Sequence, residues 1–500
     1  MSKLNRRSFI GLAATTAAAG VVPVAEAADA CRTGVFAVPR KWDETVELLV
    51  VGSGGAGLAS AVSARQNGVK QVLVLEKLAF IGGNTMISGG AYNACDPVRQ
   101  PKQGIKDSPE LHAQNTWIGG DGRADPELVK TLAENAYAGL TWLESLGMEF
   151  KPTVYQVYGG LYPRAHDGLG NLGAGYIKVL DAAQKKIGGI EIRTKCRVTR
   201  VIREEPLAGR VLGVEYTAPD GSKKTVRAKR AVVLATGGFG ANAKLRAKYD
   251  PRMLNLTTTN NPAVSTGDLI DPMIDIGADV VGMDHIQCNP GCPPGRKHRV
   301  IMHLYPQYFL LVNKEYKRFV AEDSRRDVVR DAILSQTGQM AYGVIDKKAW
   351  DNINPGHRAS ITKGFETGDA WMGNTIEEAA KNAGLDPKQF AACIEKFNKG
   401  VETKNDEFGK LPRNLFKMDT PPFYIGLAGM SVHHTMGGLR INKHNQVIDR
   451  RGNVIPGVYA VGEVSGGIHG SNRLGGNAIA DIFTFGRLTG IYIGKNEKAK

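Results

Sequence analysis

Val46 to Val51, apolar but for Glu47, reads as a buried parallel strand. Gly52-Ser53-Gly54-Gly55-Ala56-Gly57 then turns the chain into a small-residue helix running to about Asn67. Gln71 to Leu75 is a second buried strand, closed by Glu76 and Lys77. Parallel strands joined by a helix require a crossover, so this unit commits the chain to an α/β fold. The glycine spacing carries a dinucleotide fingerprint. Gly52 permits the tight turn, Gly54 lets the backbone approach a pyrophosphate, and Gly57 lets the helix lie close on the strand. The N–H groups of Gly55 and Ala56 open the helix, whose positive dipole end faces the phosphates. Glu76 is placed to accept hydrogen bonds from ribose hydroxyls.

A chain of 500 residues is too long for one compact core, so two or more domains are expected. Its 61 glycines gather in short runs, which mark places where backbone approaches something closely. One run holds Gly83, Asn84, Thr85, Ser88, Gly89 and Gly90. Another, Thr236-Gly237-Gly238, stops a buried strand at Ala231–Ala235. A third, Gly462-Glu463, follows a strand at Val458–Val461. A dehydrogenase binding NAD alone has no use for such distant extra segments, so they favour FAD. Helical patterns dominate Ser108–Leu146. From about His285 to His433 the glycine clusters vanish and mixed short strands and helices take over, as expected of an inserted second domain.

The N-terminus reads as a targeting segment. Arg6-Arg7 with Phe9, a weakly apolar run from Gly11 to Val24, and Ala25-Glu26-Ala27 together form a twin-arginine signal with its cleavage site, residues 1–27. Export to the periplasm by the twin-arginine translocase is expected, and no stretch has the length and apolarity of a membrane span. The formal charge of +15 fits a solvated basic surface or an acidic redox partner. Nucleic acid is excluded as a partner, because the basic residues are spread and no recognition motif is present. The six cysteines form no Cys-x-x-Cys-His and no metal spacing, so neither haem nor metal is expected. Cys288 and Cys292 could pair in an oxidising compartment, free thiols being the alternative.

Three further motifs are His433-His434-Thr435-Met436-Gly437-Gly438, the run from His469 to Asn477 with Arg473 at its centre, and Arg318-Phe319 followed by Arg326-Asp327. With the fingerprint they make residues 45–490 resemble the flavoproteins of the fumarate reductase and succinate dehydrogenase superfamily. The soluble periplasmic branch of fumarate, urocanate and methacrylate reductases is the most similar. The resemblance implies a Rossmann-like FAD-binding domain (GR2-type) at 45–284 and 435–495, with an α+β capping domain inserted at 285–434. It implies Arg326 as proton donor, His433 and Arg473 as holders of a substrate carboxylate, and Gly475, Gly476, Asn477, Ala478 and Ile479 along the flavin together with Arg473. The reaction it implies is hydride transfer from flavin N5 to the β carbon of an activated alkene, followed by protonation of the α carbon. His434, His469 and Arg325 are expected to be structural or surface residues.

The chain departs from that pattern in three ways. It has no haem-bearing domain, so a separate c-type cytochrome or similar donor is expected. No His lies between Gly82 and Gly90, so the FAD is expected to be non-covalent. The second carboxylate-holding region, His-Pro-Thr in fumarate reductases, reads Asn289-Pro290-Gly291, and Ile301, Met302 and Tyr305 stand where the family has polar residues. Asn289, Met302 and Tyr305 would then line an apolar end of the substrate pocket, favouring a monocarboxylate with an apolar or aromatic tail over fumarate. The nearest basic residues upstream are Arg296, His298 and Arg299. Fumarate or urocanate reduction, desaturation in the reverse direction and a non-catalytic electron-transfer role remain open at this point.

Overall fold

The computed structural model describes residues 37–157, 159–170, 172–302, 306–353 and 355–500. The expected signal segment, Cys31 and Tyr305 lie outside the described residues.

The fingerprint folds as a strand β1 (Glu44–Val51), a helix α1 (Gly55–Gln66) and a strand β2 (Val72–Leu75). Every residue from Gly55 to Ala64 is buried, which explains why that stretch of α1 is built from Gly, Ala, Ser, Val and Leu58 with no charged residue. The sheet grows through β3 (Ile190–Arg193), parallel to β2, and β4 (Lys223–Leu234), parallel to β1. An antiparallel pair, Arg197–Glu205 with Ala208–Thr217, leans on β4. Leu48–Val51 sits in register with Val72–Leu75 on one side and with Ala231–Leu234 on the other. The carboxyl ends of three strands therefore converge on Gly52, Glu76 and Ala235, the edge at which such sheets bind ligands.

A second, six-stranded sheet follows. It contains β5 (Ile286–Gly291), is flanked by the helix α2 (Arg326–Leu334) and is organised by the long strand β6 (Phe423–Thr435). The first half of β6 pairs with Ala341–Ile345 and Ala370–Gly373, and its second half pairs with β5 and Thr257–Thr258. β6 thus runs from a separate hydrophobic cluster around Val344, Phe390, Phe397 and Ile425 to the edge of the first sheet. There Thr435 bonds Glu463 through its backbone N–H (3.0 Å) and its hydroxyl (3.2 Å). The chain returns through β7 (Val454–Ala460), which joins β4 in parallel, and ends in the helix α3 (Asn477–Asn496). α3 crosses α1 at Gly486 and Gly490. A methyl group at either position would come within 2.7 Å of the α1 backbone, so the glycines set how closely the two helices approach. The architecture is a Rossmann-like FAD-binding fold with a mixed α/β cap.

Cys288 and Cys292 carry free, buried thiols facing different partners, the Met253 sulfur (3.8 Å) and the Thr257 hydroxyl (3.4 Å). Among the described residues no helix is long and apolar enough to cross a membrane, and no group of His, Cys, Asp and Glu is placed to hold a metal ion.

Candidate active site

A cleft opens at the carboxyl edge of the parallel sheet. Of the expected cofactor residues, Gly52, Gly54, Gly55, Ala56, Glu76, Lys77, Gly83, Asn84, Thr85, Thr236, Gly237, Gly462 and Glu463 line it. The glycines divide the work by position. Gly52 has φ +103°, and a Cβ there would strike the Ala235 carbonyl oxygen. A Cβ on Gly57 would strike the Gly52 carbonyl oxygen, whereas Gly54 faces open space. The cradle beside Gly54, at the N-terminus of α1, has the shape and dipole a pyrophosphate needs. The buried Thr236 hydroxyl has no protein partner at the cleft wall, which leaves it for a polar ligand. These features fit a dinucleotide.

Glu76 is held in place before any ligand arrives. It accepts from the Ser53 hydroxyl (2.6 Å) and backbone N–H (3.0 Å) on one oxygen, and from the Leu78 N–H (2.8 Å) on the other. Lys77 instead points across the cleft to Asp268 (2.9 Å), which also takes a bond from Arg197 (2.8 Å). Against its burial, those bonds hold the Asp268 carboxyl below its ordinary value. Asp268, Cys196, Arg197 and Val198 also line the cleft, and the sequence reading missed them. They come from the antiparallel pair and a loop, with no motif to announce them.

The remaining expected cofactor residues sit behind the wall. Ser88 donates to the Thr85 carbonyl (2.8 Å), Gly89 is open, and Gly90 (φ +74°) packs on Leu172 and Gly173. A Cβ on Gly238 would strike the Thr435 hydroxyl. The Asn477 side chain is engaged by Asn93 (2.8 Å), His112 (3.0 Å) and Thr116 (3.0 Å). It thereby fixes the first turn of α3, where Ala478 and Ile479 follow and where Gly476 (φ +84°) is the N-cap.

The structure brings Arg326, His433 and Arg473 together at the seam between the two sheets. Arg473 is buried, donating to the Gln287 side-chain oxygen (2.8 Å) and the Leu474 carbonyl (3.0 Å), while its Nε has no partner. Burial, and next the neighbouring Arg326 charge, push the Arg473 guanidinium down to about 9, so it stays protonated at neutral pH. Arg326, at the first turn of α2, donates to Asn289 (3.3 Å) and lies against Gly159, where a Cβ would collide with its guanidinium. His433 shares a 2.7 Å hydrogen bond through Nδ1 with Thr259. Burial, and then the charges of Arg473, Arg326 and Arg299, hold its imidazole well below its ordinary value. Neutral His433 can therefore donate from the ring nitrogen opposite Thr259. Two buried, mutually repelling guanidiniums and a neutral imidazole donor make a site that an anion stabilises.

Behind this set, His469 bonds Asp481 (3.1 Å), and His434 lies 3.7 Å from Glu463, whose carboxyl burial pushes up. Arg325 is a surface residue bridging Asp121 and Asp327. Met302 is buried in an apolar cavity beside the site, with Pro290, Gly291 and Val300. Gln287, which orients Arg473, is absent from the expected set, and Arg299, one of the three basic residues noted near the second region, has a charge that reaches His433.

The family model described as "FAD binding domain" matches residues 47–479. The fumarate reductase (cytochrome) of Shewanella frigidimarina is 35% identical over 458 residues, 91% of this chain and 78% of that protein. The chain belongs to the fumarate reductase family of FAD-binding flavoproteins. Another family member, the acrylate reductase flavoprotein subunit of Shewanella woodyi, is 31% identical over 502 residues, 97% of each chain. The open conformation of a flavocytochrome c3 fumarate reductase matches the fold with a TM-score of 0.78 at 33% identity, over 94% of this chain and 81% of that one. This family member is an FAD-dependent oxidoreductase acting on carbon–carbon bonds.

Proposed function

We propose that this fumarate reductase family member reduces an α,β-unsaturated monocarboxylate, an acrylate, methacrylate or cinnamate, in the periplasm. The observation that carries the reading is the asymmetry of the pocket. Arg473 and His433 make a cationic and hydrogen-bonding clamp at one end, while Asn289 and apolar side chains occupy the other.

In this reading Arg473 takes the substrate carboxylate in its fork, and His433 donates a further hydrogen bond. Both draw charge from the alkene and make its β carbon electrophilic. FAD, when bound and reduced by the electron donor, would supply the hydride to that carbon. Arg326 gives a proton to the α carbon. Arg326 is buried beside a second guanidinium, that of Arg473, the setting in which an arginine acid is tolerable. The cofactor would be held non-covalently by the cleft residues and backed by Arg473, Gly476, Asn477, Ala478 and Ile479. The division into an FAD-binding part at 45–284 and 435–495 and a cap at 285–434 belongs to the same reading. So do export on the twin-arginine signal and delivery of electrons by a separate c-type cytochrome or similar donor.

One observation favours a second reading, reduction of a substrate such as fumarate or urocanate with a second polar end: the charge of Arg299 is felt at His433. Reduction of acrylate, methacrylate, cinnamate, urocanate and fumarate with excess reduced viologen tests both readings. The monocarboxylate reading requires kcat/KM for methacrylate or cinnamate to exceed that for fumarate by at least about tenfold, roughly 1.4 kcal/mol. Fumarate emerging as the best substrate overturns it.

A further inference from the structure

We infer that the apolar cavity behind the Arg326–Asn289 pair receives the β-substituent of the substrate, with Met302 as its movable wall. The inference rests on the reading of the substrate as an unsaturated carboxylate and adds the group that distinguishes one such acid from another: a flat apolar substituent, of which phenyl is the test case.

The cavity is narrow as it stands, so a ring enters only if a wall residue withdraws, and it is walled by Val300, Met302, Phe309, Leu311, Val329 and Ile333, with no charged side chain among its lining residues. It shares two elements with the catalytic set. On α2, Arg326, Val329 and Ile333 stand at spacings of three and four, on one helix face. The guanidinium and the cavity wall therefore share that face. On β5, Asn289 accepts from Arg326, and the next two residues, Pro290 and Gly291, line the cavity. A substituent passing Asn289 from the reacting carbon meets apolar side chains.

Two glycines keep this volume open. A Cβ on Gly426 would come within 2.7 Å of Val300 and 2.9 Å of the Met302 methyl group, and a Cβ on Gly343 within 3.0 Å of Phe309. Met302 is buried against both. It is unbranched and rotates about three bonds, so it can withdraw as a ring enters where a branched residue could not. A carboxylate in the same space would be desolvated without a partner, whereas an apolar ring there leaves water.

The test compares kcat/KM for cinnamate and acrylate in the FAD-loaded enzyme, and calorimetric binding of their saturated products, 3-phenylpropanoate and propanoate. Wild type should favour cinnamate over acrylate by at least about tenfold, and 3-phenylpropanoate should bind tighter than propanoate by a similar factor. Met302→Trp, which fills the cavity, should lower the cinnamate-to-acrylate ratio by at least about tenfold. Val329→Phe, which intrudes from α2, should do the same and serves if the first variant does not fold. An unchanged ratio in a folded, FAD-loaded variant overturns the cavity assignment and leaves the carboxylate reading intact. Failure of wild type to reduce any of the acids overturns both.

Discussion

Arg473 and Gln287 are tied to each other twice. The Arg473 guanidinium donates to the Gln287 side-chain oxygen (2.8 Å), and the Gln287 amide nitrogen donates back to the Arg473 carbonyl (2.9 Å). Both are buried, and Gln287 also donates to Asn472 (3.0 Å). One side chain on the second sheet therefore sets the rotamer of an arginine in the loop before α3, the arginine proposed to take the carboxylate. Gln287→Ala should free that arginine. The expected loss is roughly 1.5–3 kcal/mol in kcat/KM, appearing mainly as raised KM, with flavin content unchanged. An unchanged KM would show that Leu474 alone orients Arg473.

Arg326 and Arg473 should fail differently. Arg326→Ala should abolish turnover while leaving flavin content and dye-driven flavin reduction intact, since only the proton delivery is lost. Arg473→Ala should raise KM as well as lower kcat, since the substrate then lacks its bidentate partner. Steady-state kinetics alongside flavin absorbance separates the two, and near wild-type turnover in Arg326→Ala would end the proton-donor assignment.

The proximity of Arg326, His433 and Arg473 was legible because each sits in a motif, and so was the parallel sheet. Continuous apolar strands and clustered glycines are local signals, and the expected helix end near Asn67 and strand end at Ala235 lie within a residue of the observed ones. Gln287 and Asp268 were not legible. A glutamine before a cysteine carries no chemical signal, and its role arises from β5 pairing with β6 across more than a hundred residues of chain. The same holds for the cavity around Met302, whose volume depends on Gly343 and Gly426 from different strands facing one space. Register between distant strands is a tertiary fact that period and composition do not encode.

The buried histidines give stability a pH dependence of definite sign. Burial holds His433 and His434 well below their ordinary values, and His112 at about 4. On lowering the pH the unfolded chain binds these protons first, near pH 6.5, while the folded chain refuses them. Stability is thus full above about pH 6.5 and falls as the pH drops toward 4. His112 alone accounts for roughly 3 kcal/mol at the end of that range. Glu463, pushed up by burial, opposes the trend as a single group. Thermal unfolding of the FAD-loaded protein should show a lower Tm at pH 5 than at pH 7.5, and His112→Gln should flatten the difference. An equal or higher Tm at pH 5 contradicts the assignment.

FAD retention tests the cleft. Acid precipitation should release the flavin, and flavin remaining with the precipitate would refute non-covalent binding. Glu76→Ala should weaken retention by roughly 1.5–3 kcal/mol for a charged hydrogen bond. Because Glu76 also fixes Ser53 and Leu78, part of that loss should persist as a lowered Tm of the apoprotein. Glu76→Gln, which keeps one acceptor oxygen but turns an NH2 donor toward the N–H on the other side, should recover only part of the Tm and less of the affinity.

Arg299 decides how far the pocket is cationic. Its neighbours are anchored by one residue: His298 bonds the Ser360 carbonyl (2.7 Å), and the Ile301 N–H donates to the Ser360 hydroxyl (3.0 Å). The backbone at Arg299 is thus pinned to the helix Pro355–Thr367, and its charge helps push down both His433 and His357 after burial. Arg296 and His298 are committed elsewhere, to Asp369 (3.4 Å) and Ser360. If the substrate carries one carboxylate, held by Arg473 and His433, Arg299→Ala should change kcat/KM for acrylate by less than about threefold, the effect of a screened charge. It should also raise the pKa of His433, visible as an alkaline shift of its imidazole resonance. If the substrate carries a second anionic end, the same variant should lose about 2–5 kcal/mol of transition-state binding for fumarate alone, the cost of leaving a buried carboxylate without its partner. The ratio of the two losses, measured on one preparation, distinguishes a pocket for a monocarboxylate from one for a dicarboxylate.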